Sequence, residues 1–244
     1  MNSKCLNCGS ETINNFCSVC GQNNATHRFS LKHFVVHDFI HGVFHLDKGF
    51  LFTIKELFTR PGHGIREYIQ GKRVKHFNYF TLLLIIIAVT HFTGEFTDNV
   101  NSASNSSDID GYSRVVEEYA KFIILSFVPF FALASYFLFK KSKQNYMEHL
   151  VMTMYMISGI LIINYILTVT SLFCSNETIL KYVHTLTELL KIVYFFWFYY
   201  QYFSAFNYKK GSLIVRCITI IIAVVLIGLS INTIINKIGL LYFH

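Results

Sequence analysis

Long apolar runs follow residue 76, and they restrict the fold of this chain more than any other feature of its sequence. An α-helix that crosses the hydrocarbon core of a bilayer needs about 17–25 mainly apolar residues. Five stretches meet that requirement, at about 77–93, 119–139, 149–173, 189–206 and 213–235. The sequence therefore predicts a mainly α fold, that of a polytopic helical membrane protein with five spans.

The composition also indicates a membrane protein. Charged residues are 14% of the 244 residues, whereas a soluble domain usually has about a quarter. The first residues are polar and contain cysteine, unlike a cleavable signal peptide with its basic tip and apolar core. We therefore expect the segment before the first span to stay in the cytosol.

The loops between the apolar runs predict the orientation, because Lys and Arg are enriched on the cytosolic side of membrane proteins. Lys140, Lys141 and Lys143 lie between the second and third spans, and Lys209 and Lys210 lie between the fourth and fifth. The loop after the first span is instead rich in Asp and Glu. This pattern predicts a multi-pass cytoplasmic (inner) membrane protein with a cytosolic N-terminus and an extracytoplasmic C-terminus.

Two C-x-x-C-G units, eight residues apart, occupy the start of the chain. Their cysteines are Cys5, Cys8, Cys17 and Cys20. Zn²⁺ favours four thiolates in a tetrahedron, with each C-x-x-C unit gripping the ion from a tight turn. Gly9 and Gly21 follow the turns, where a positive φ suits glycine. Disulfides or a redox pair are the alternatives, and a reducing cytosol disfavours disulfides. We predict a structural zinc ribbon over residues 1–24, whose eight-residue spacer is long enough for a small hairpin between the knuckles.

Histidines recur every fourth residue in the next segment, residues 25–76, which we predict to form amphipathic helices beside the membrane. The four are His33, His37, His41 and His45. Wound as a helix, residues 31–45 place the histidines opposite a broad apolar arc, as in helices that lie in the membrane interface.

A metal-binding interpretation of the same histidines stays open. Imidazoles at i and i+4 share a helix face and can chelate one ion. His37 and His41, or His41 and His45, together with Asp38 or Asp47, would supply three ligands for a second metal. Helical drift of about 40° per step prevents all four histidines from meeting at one ion.

The rest of this segment predicts two further helices and a basic patch. One helix is expected at about 49–59, and a short one begins near Pro61 and ends at Gly71. A basic patch follows, and we expect anionic lipid to contact it. Its members are Arg66, Lys72, Arg73 and Lys75.

These motifs together resemble a known family. The cysteine units, followed by "HDFIHGVFHLDKGFLFTIKELFTRPGHGIREYIQGKRVKHFNYF" and an apolar second half, resemble the bacterial membrane proteins catalogued as domain of unknown function 3667. The resemblance is specific over about residues 5–90. It implies a zinc-ribbon head on an integral membrane protein (residues 77–244) and implies no established activity.

Three classes of function fit the sequence. The favoured one is a non-enzymatic anchoring, scaffolding or regulatory role, with a protein partner or self-association. The first alternative is a membrane-interface enzyme for a lipid-like substrate, with His37, Asp38, His41 and His45 as weak catalytic candidates, joined by His33, Asp47 and His63. The second alternative is transport of an apolar or lipid-like molecule. Nucleic-acid binding is disfavoured, because the basic residues cluster beside the predicted membrane.

Overall fold

Seven α-helices make up most of the part of the chain that the computed structural model describes, namely residues 4–26, 28–30, 49–102, 111–174 and 176–242. No strand occurs in those residues. The helices are α1 (Gly49–Thr59), α2 (Pro61–Ile69), α3 (Tyr79–Ser102), α4 (Gly111–Leu138), α5 (Tyr146–Phe173), α6 (Glu177–Phe203) and α7 (Lys210–Tyr242). The mainly helical fold class predicted from the sequence is confirmed.

Helices α1 and α2 lie where the sequence predicts them. Pro61 opens α2, where the missing N–H of proline is harmless. Gly71 follows the helix with a φ of +117°, which glycine adopts at little cost. Each helix buries part of its apolar surface against the rest of the protein, since Leu57 of α1 and Ile65 of α2 are fully buried, although Leu51 of α1 is 77% exposed.

Helix α5 is the centre of the bundle. It packs against α3, α4 and α6 along its length and also contacts α1 and α2. Its first turn is closed by a capping box, in which the Asn145 side chain accepts from the Glu148 backbone N–H and the Glu148 side chain accepts from Asn145. This cap fixes the point at which the chain leaves the α4–α5 turn.

Helix α6 supplies an aromatic layer to the core. Phe203 stacks on Phe139 of the α4–α5 turn with ring centroids 3.8 Å apart. Gly159 of α5 leaves room for the ring of Tyr194, whose hydroxyl a Cβ at that position would overlap. Aromatic side chains of α6 therefore hold the fourth apolar run against α5.

Within the described residues, two helices are long and apolar enough to cross a membrane. These segments are Tyr146–Thr170 of α5, which is 61% buried inside the protein, and Lys210–Ile231 of α7, which is 11% buried. Shorter apolar segments occur in α3 (Tyr79–Gly94) and α4 (Ile123–Leu138). Each of the five predicted apolar runs lies mainly within one helix. Helix α6 begins twelve residues before the predicted start at 189 and ends at Phe203, and α7 extends seven residues beyond 235.

Polar residues within the apolar runs form hydrogen bonds between helices at two places. The Gln201 Oε1 atom in α6 accepts from the Gly62 backbone N–H of α2 at 3.2 Å. Lys191 Nζ donates to Asn164 Oδ1 across α6 and α5 at 3.3 Å. These bonds satisfy polar groups within otherwise apolar contacts.

Candidate metal centre and its seat on the helices

The four cysteines of the N-terminal segment meet at one point. All four Sγ atoms lie within 4.8 Å of one another, with Cys5 and Cys20 at 3.5 Å and Cys8 and Cys17 at 3.6 Å. Zinc–sulfur bonds of about 2.3 Å place the sulfurs of a tetrahedral site roughly 3.8 Å apart. The four thiols therefore could hold one metal ion, and their separations suit the tetrahedral geometry of zinc.

Each knuckle is closed by the same backbone pattern. The Gly9 N–H donates to the Cys5 carbonyl and the Gly21 N–H donates to the Cys17 carbonyl, both at 2.9 Å. Gly9 and Gly21 have φ values of +78° and +74°, so the predicted need for glycine after each knuckle is confirmed.

The residues between the two knuckles form no hairpin within residues 4–26. Isolated bridges pair Lys4 with Glu11 across the first knuckle and Phe16 with Asn23 across the second. Each knuckle thus closes on its own flanking residues.

The surroundings of Cys8 and Cys20 shift the pKa values of these two thiols in opposite directions. Hydrogen bonding with Ser10 lowers the pKa of Cys8 to about 6. Burial raises the pKa of Cys20 to about 11. Because a cysteine binds a metal ion as its thiolate, the lowered pKa of Cys8 favours metal binding at neutral pH.

Phe29 fixes the cysteine module (residues 4–30) to the helices. Its ring is 3% exposed and lies between Tyr68 of α2 and Tyr79 of α3, with centroid distances of 5.9 and 5.7 Å. The Arg73 guanidinium lies 4.0 Å from the centre of the same ring. Phe29 therefore occupies an aromatic and cationic seat at the end of the bundle.

An ion pair and a backbone contact hold the module beside this seat. Arg28 donates to both carboxylate oxygens of Glu148, from Nε at 2.7 Å and from Nη2 at 2.6 Å. The neighbouring Asn145 side chain donates to the Phe29 carbonyl at 3.0 Å. Glu148 also raises the pKa of Arg28, through its hydrogen bond and its charge.

The knuckles themselves touch the loop after α2. Leu6, between Cys5 and Cys8, packs over Gly71, where a Cβ would lie 2.7 Å from Leu6 Cδ1. The buried Gln22 side chain accepts from the Arg73 backbone N–H at 3.2 Å. The module is thus held in place against the helical part of its own chain.

The predicted histidine site falls mostly outside the described residues. His33, His37, Asp38, His41, His45 and Asp47 all belong to that part. His63 is described, and its Nδ1 lies 2.9 Å from Arg66 Nη2. Burial and the charges of Arg66 and Arg60 lower the pKa of His63. A permanent cation against Nδ1 disfavours metal binding through that atom.

The basic patch has several intramolecular partners. Arg66 Nη1 donates to the Gln201 and Tyr202 carbonyls at the end of α6, at 2.9 and 3.0 Å, and Lys72 pairs with Glu67 at 3.3 Å. Lys72 and Lys75 remain exposed. Contact of anionic lipid with this patch stays a prediction.

Sequence reasoning missed the residues that seat the module. Asn145 and Glu148 follow the N-x-x-E pattern of a capping box, a local pattern that indicates the start of a helix such as α5. The partner of Glu148, by contrast, is Arg28, 120 residues earlier in the chain. No local signal connects the two.

Comparison with known proteins identifies one family. Residues 47–90 match the protein family of unknown function DUF3667. The resemblance predicted from the sequence is confirmed over these residues. The DUF3667 match runs from just before α1 through α2 and into α3, and thus includes the Tyr68 and Arg73 parts of the seat. No curated protein and no solved structure matches the chain.

Proposed function

We propose that this protein is an integral membrane protein whose cysteine module holds a structural Zn²⁺ ion and is fixed to the cytosolic end of a five-span helix bundle. Its role is non-enzymatic, as an anchor or scaffold for a protein partner or for a second copy of the chain. The observation that carries this proposal is the four-thiol cluster on a module that is itself seated on the bundle.

The outward face of the helices supports the membrane location. The apolar segment Lys210–Ile231 of α7 is only 11% buried. Six large apolar side chains of α7 are more than half exposed, namely Val215, Ile222, Val225, Leu226, Leu229 and Ile234. Monomeric soluble proteins rarely expose contiguous apolar patches of that extent, and such patches mark protein or membrane contacts. Lipid is the simplest cover for an outward apolar face on a long helix.

The closed character of the metal centre supports a structural role. Four thiolates fill the four positions of a tetrahedral zinc ion, which leaves no position for water or substrate. A module of this size has almost no apolar core, so metal binding would supply much of its folding free energy. The bound ion would thereby keep Phe29 and Arg28 at their seats.

Metal analysis tests this proposal. Purified full-length protein is expected to contain one zinc per chain, and Cys17→Ser is expected to lose it. A double variant, His37→Ala with His41→Ala, separates the structural proposal from the enzyme alternative. We expect it to keep the single zinc. A second ion, present in the wild type and lost in that variant, would contradict the non-enzymatic reading.

A further inference from the structure

A cleft of about 380 Å³ lies where the cysteine module meets the α4–α5 and α6–α7 turns. It belongs neither to the metal centre nor to the predicted histidine site. Its walls combine apolar side chains with charged and amide groups, among them Leu6, Arg28, Ile69, Lys143, Gln144 and Phe206. Such a mixed lining, with convergent polar groups beside apolar walls, is typical of sites for small molecules.

The charge of the cleft favours an anion. Arg28 and Lys143 contribute two cations, while Glu148 is the single carboxylate in the lining. Both oxygens of Glu148 are already bonded by Arg28. Within the described part of the chain, Arg28 Nη1 makes no hydrogen bond and Lys143 Nζ makes no ion pair. These nitrogen atoms are suited to a phosphate group.

The side chain of Gln144 offers an acceptor for a hydrogen-bond donor on the ligand. Its Nε2 atom donates to the Tyr202 hydroxyl at 2.7 Å, whereas its buried Oε1 atom has no hydrogen-bond partner within the described residues. A buried acceptor without a partner is costly. A ligand that brings an O–H or N–H group beside its anionic group would satisfy this oxygen.

The backbone of Lys143 has a conformation that is unusual for lysine. Lys143 has φ +56° and ψ +20°, a left-handed conformation that glycine adopts readily and lysine rarely adopts. Sparsely populated backbone conformations cluster at functional sites. Here the strained residue is one that lines the cleft with a charged side chain.

We propose that this cleft binds the head group of an anionic phospholipid-like amphiphile. Its phosphate lies against Arg28 and Lys143, and a head-group hydroxyl or ammonium donates to Gln144 Oε1. The adjoining hydrocarbon contacts Leu6, Ile69 and Phe206. The membrane location proposed above supplies the source of the amphiphile, while the site itself depends only on the lining residues.

Thermal unfolding of the full-length protein in a neutral maltoside detergent tests the proposal, with soluble dihexanoylphosphatidylglycerol as the probe. We expect the probe to raise the Tm of the wild type. We expect Lys143→Gln to weaken binding by about tenfold or more, as for loss of one charged hydrogen bond. Lys140→Gln removes the same charge three residues away, outside the cleft, and should behave as the wild type does.

A second variant separates binding from folding. Lys143→Gly relieves the left-handed backbone, so the variant should be as stable as the wild type without the probe and still lose the shift. A shift that is absent in the wild type, or equal in Lys143→Gln, would overturn the site.

Two other probes define the ligand. Dihexanoylphosphatidylcholine has the phosphate but no head-group donor, and we expect a smaller shift from it. Inorganic phosphate should give little shift at the same concentration. An equal shift with inorganic phosphate would overturn the amphiphile as the ligand.

Discussion

Gly62 shows how strongly single residues limit the packing of this chain. At the start of α2 it lies directly against the backbone at the end of α6, where any side chain would meet Phe198 O and Tyr202 N. Its N–H is also bonded by Gln201 Oε1. The absence of a Cβ therefore allows the two helices to approach closely.

Gly62→Ala should destabilise the protein. The new Cβ would lie 2.6 Å from the Phe198 carbonyl oxygen, which belongs to a helix backbone and cannot rotate away. We expect a loss of about 1–3 kcal/mol in the free energy of unfolding, measured in detergent by chemical denaturation. Gly211→Ala is the control, because a Cβ there meets nothing within 4 Å. Equal stability of the two variants would contradict this packing.

His76 makes stability depend on pH. Burial lowers its pKa from 6.5 to about 4, and its ring lies between Phe52 and Tyr68. Between these two values the unfolded chain binds more protons than the folded chain does. The contribution of His76 is therefore complete above about pH 6.5 and is lost as the pH falls towards 4.

His76→Phe should flatten that pH dependence. The variant loses the titrating group and removes a buried Nδ1 that has no hydrogen-bond partner within the described residues. Unfolding measured at several values between pH 4 and 7 should show a smaller fall in stability than in the wild type. His184→Phe, at a histidine whose side chain is 60% exposed, should keep the wild-type profile.

At the scale of elements, the seat of the cysteine module depends on contacts between distant segments. Phe29 reaches α2 and α3, and Arg28 reaches the first turn of α5. The Glu148 side chain is 5% exposed while that of Arg28 is 63% exposed, so the carboxylate is the desolvated partner. Loss of Arg28 would leave that carboxylate buried without its cation.

Arg28→Met should loosen the module more than removal of both charges does. An unpaired buried carboxylate costs about 1–3 kcal/mol, whereas a neutral Gln at the same position costs less. Limited proteolysis after residue 24 should therefore be fastest in Arg28→Met and slower in Arg28→Met with Glu148→Gln. Equal rates in both variants and the wild type would show that the ion pair does not hold the module.

At the scale of the whole molecule, the helices differ in how much of their apolar surface is covered by the rest of the protein. Helix α5 is mostly covered by other helices, while α7 turns most of its apolar segment outward. The turns between α4 and α5 and between α6 and α7 carry lysines and contact each other, since Lys141 Nζ donates to the Asn207 carbonyl. Both turns line the cleft beside the cysteine module. The lysines of these two turns thus lie at the same end of the bundle as the module.

The number of spans determines where the C-terminus lies. Five spans place the two termini on opposite sides of the membrane, whereas crossing by α5 and α7 alone would place them on the same side. Alkaline phosphatase joined after residue 242 should be active and should be inactive when joined after residue 207. Fluorescent-protein fusions at the same positions should give the opposite pattern. Activity after residue 207 but not after residue 242 would indicate crossing by α5 and α7 alone and would contradict the five-span topology.

Several features could be predicted from the sequence alone because they depend on residues that are neighbours in the chain. The C-x-x-C-G units predicted both the thiol cluster and the positive φ of Gly9 and Gly21, because knuckle and glycine are adjacent in the chain. The Pro61 and Gly71 signals predicted the limits of α2 for the same reason. Apolar runs long enough for a helix predicted the positions of α3 to α7.

Only the tertiary structure decided what the module rests on and where the amphiphile cleft lies. Arg28 and Glu148, or Gly62 and Tyr202, meet across more than a hundred residues, and no periodicity or spacing encodes such a contact. The buried acceptor of Gln144 and the left-handed Lys143 depend likewise on how separate helices meet. Composition and motif determined which elements form, since these depend on neighbours in the chain. Packing determined which of their side chains remain available for a ligand.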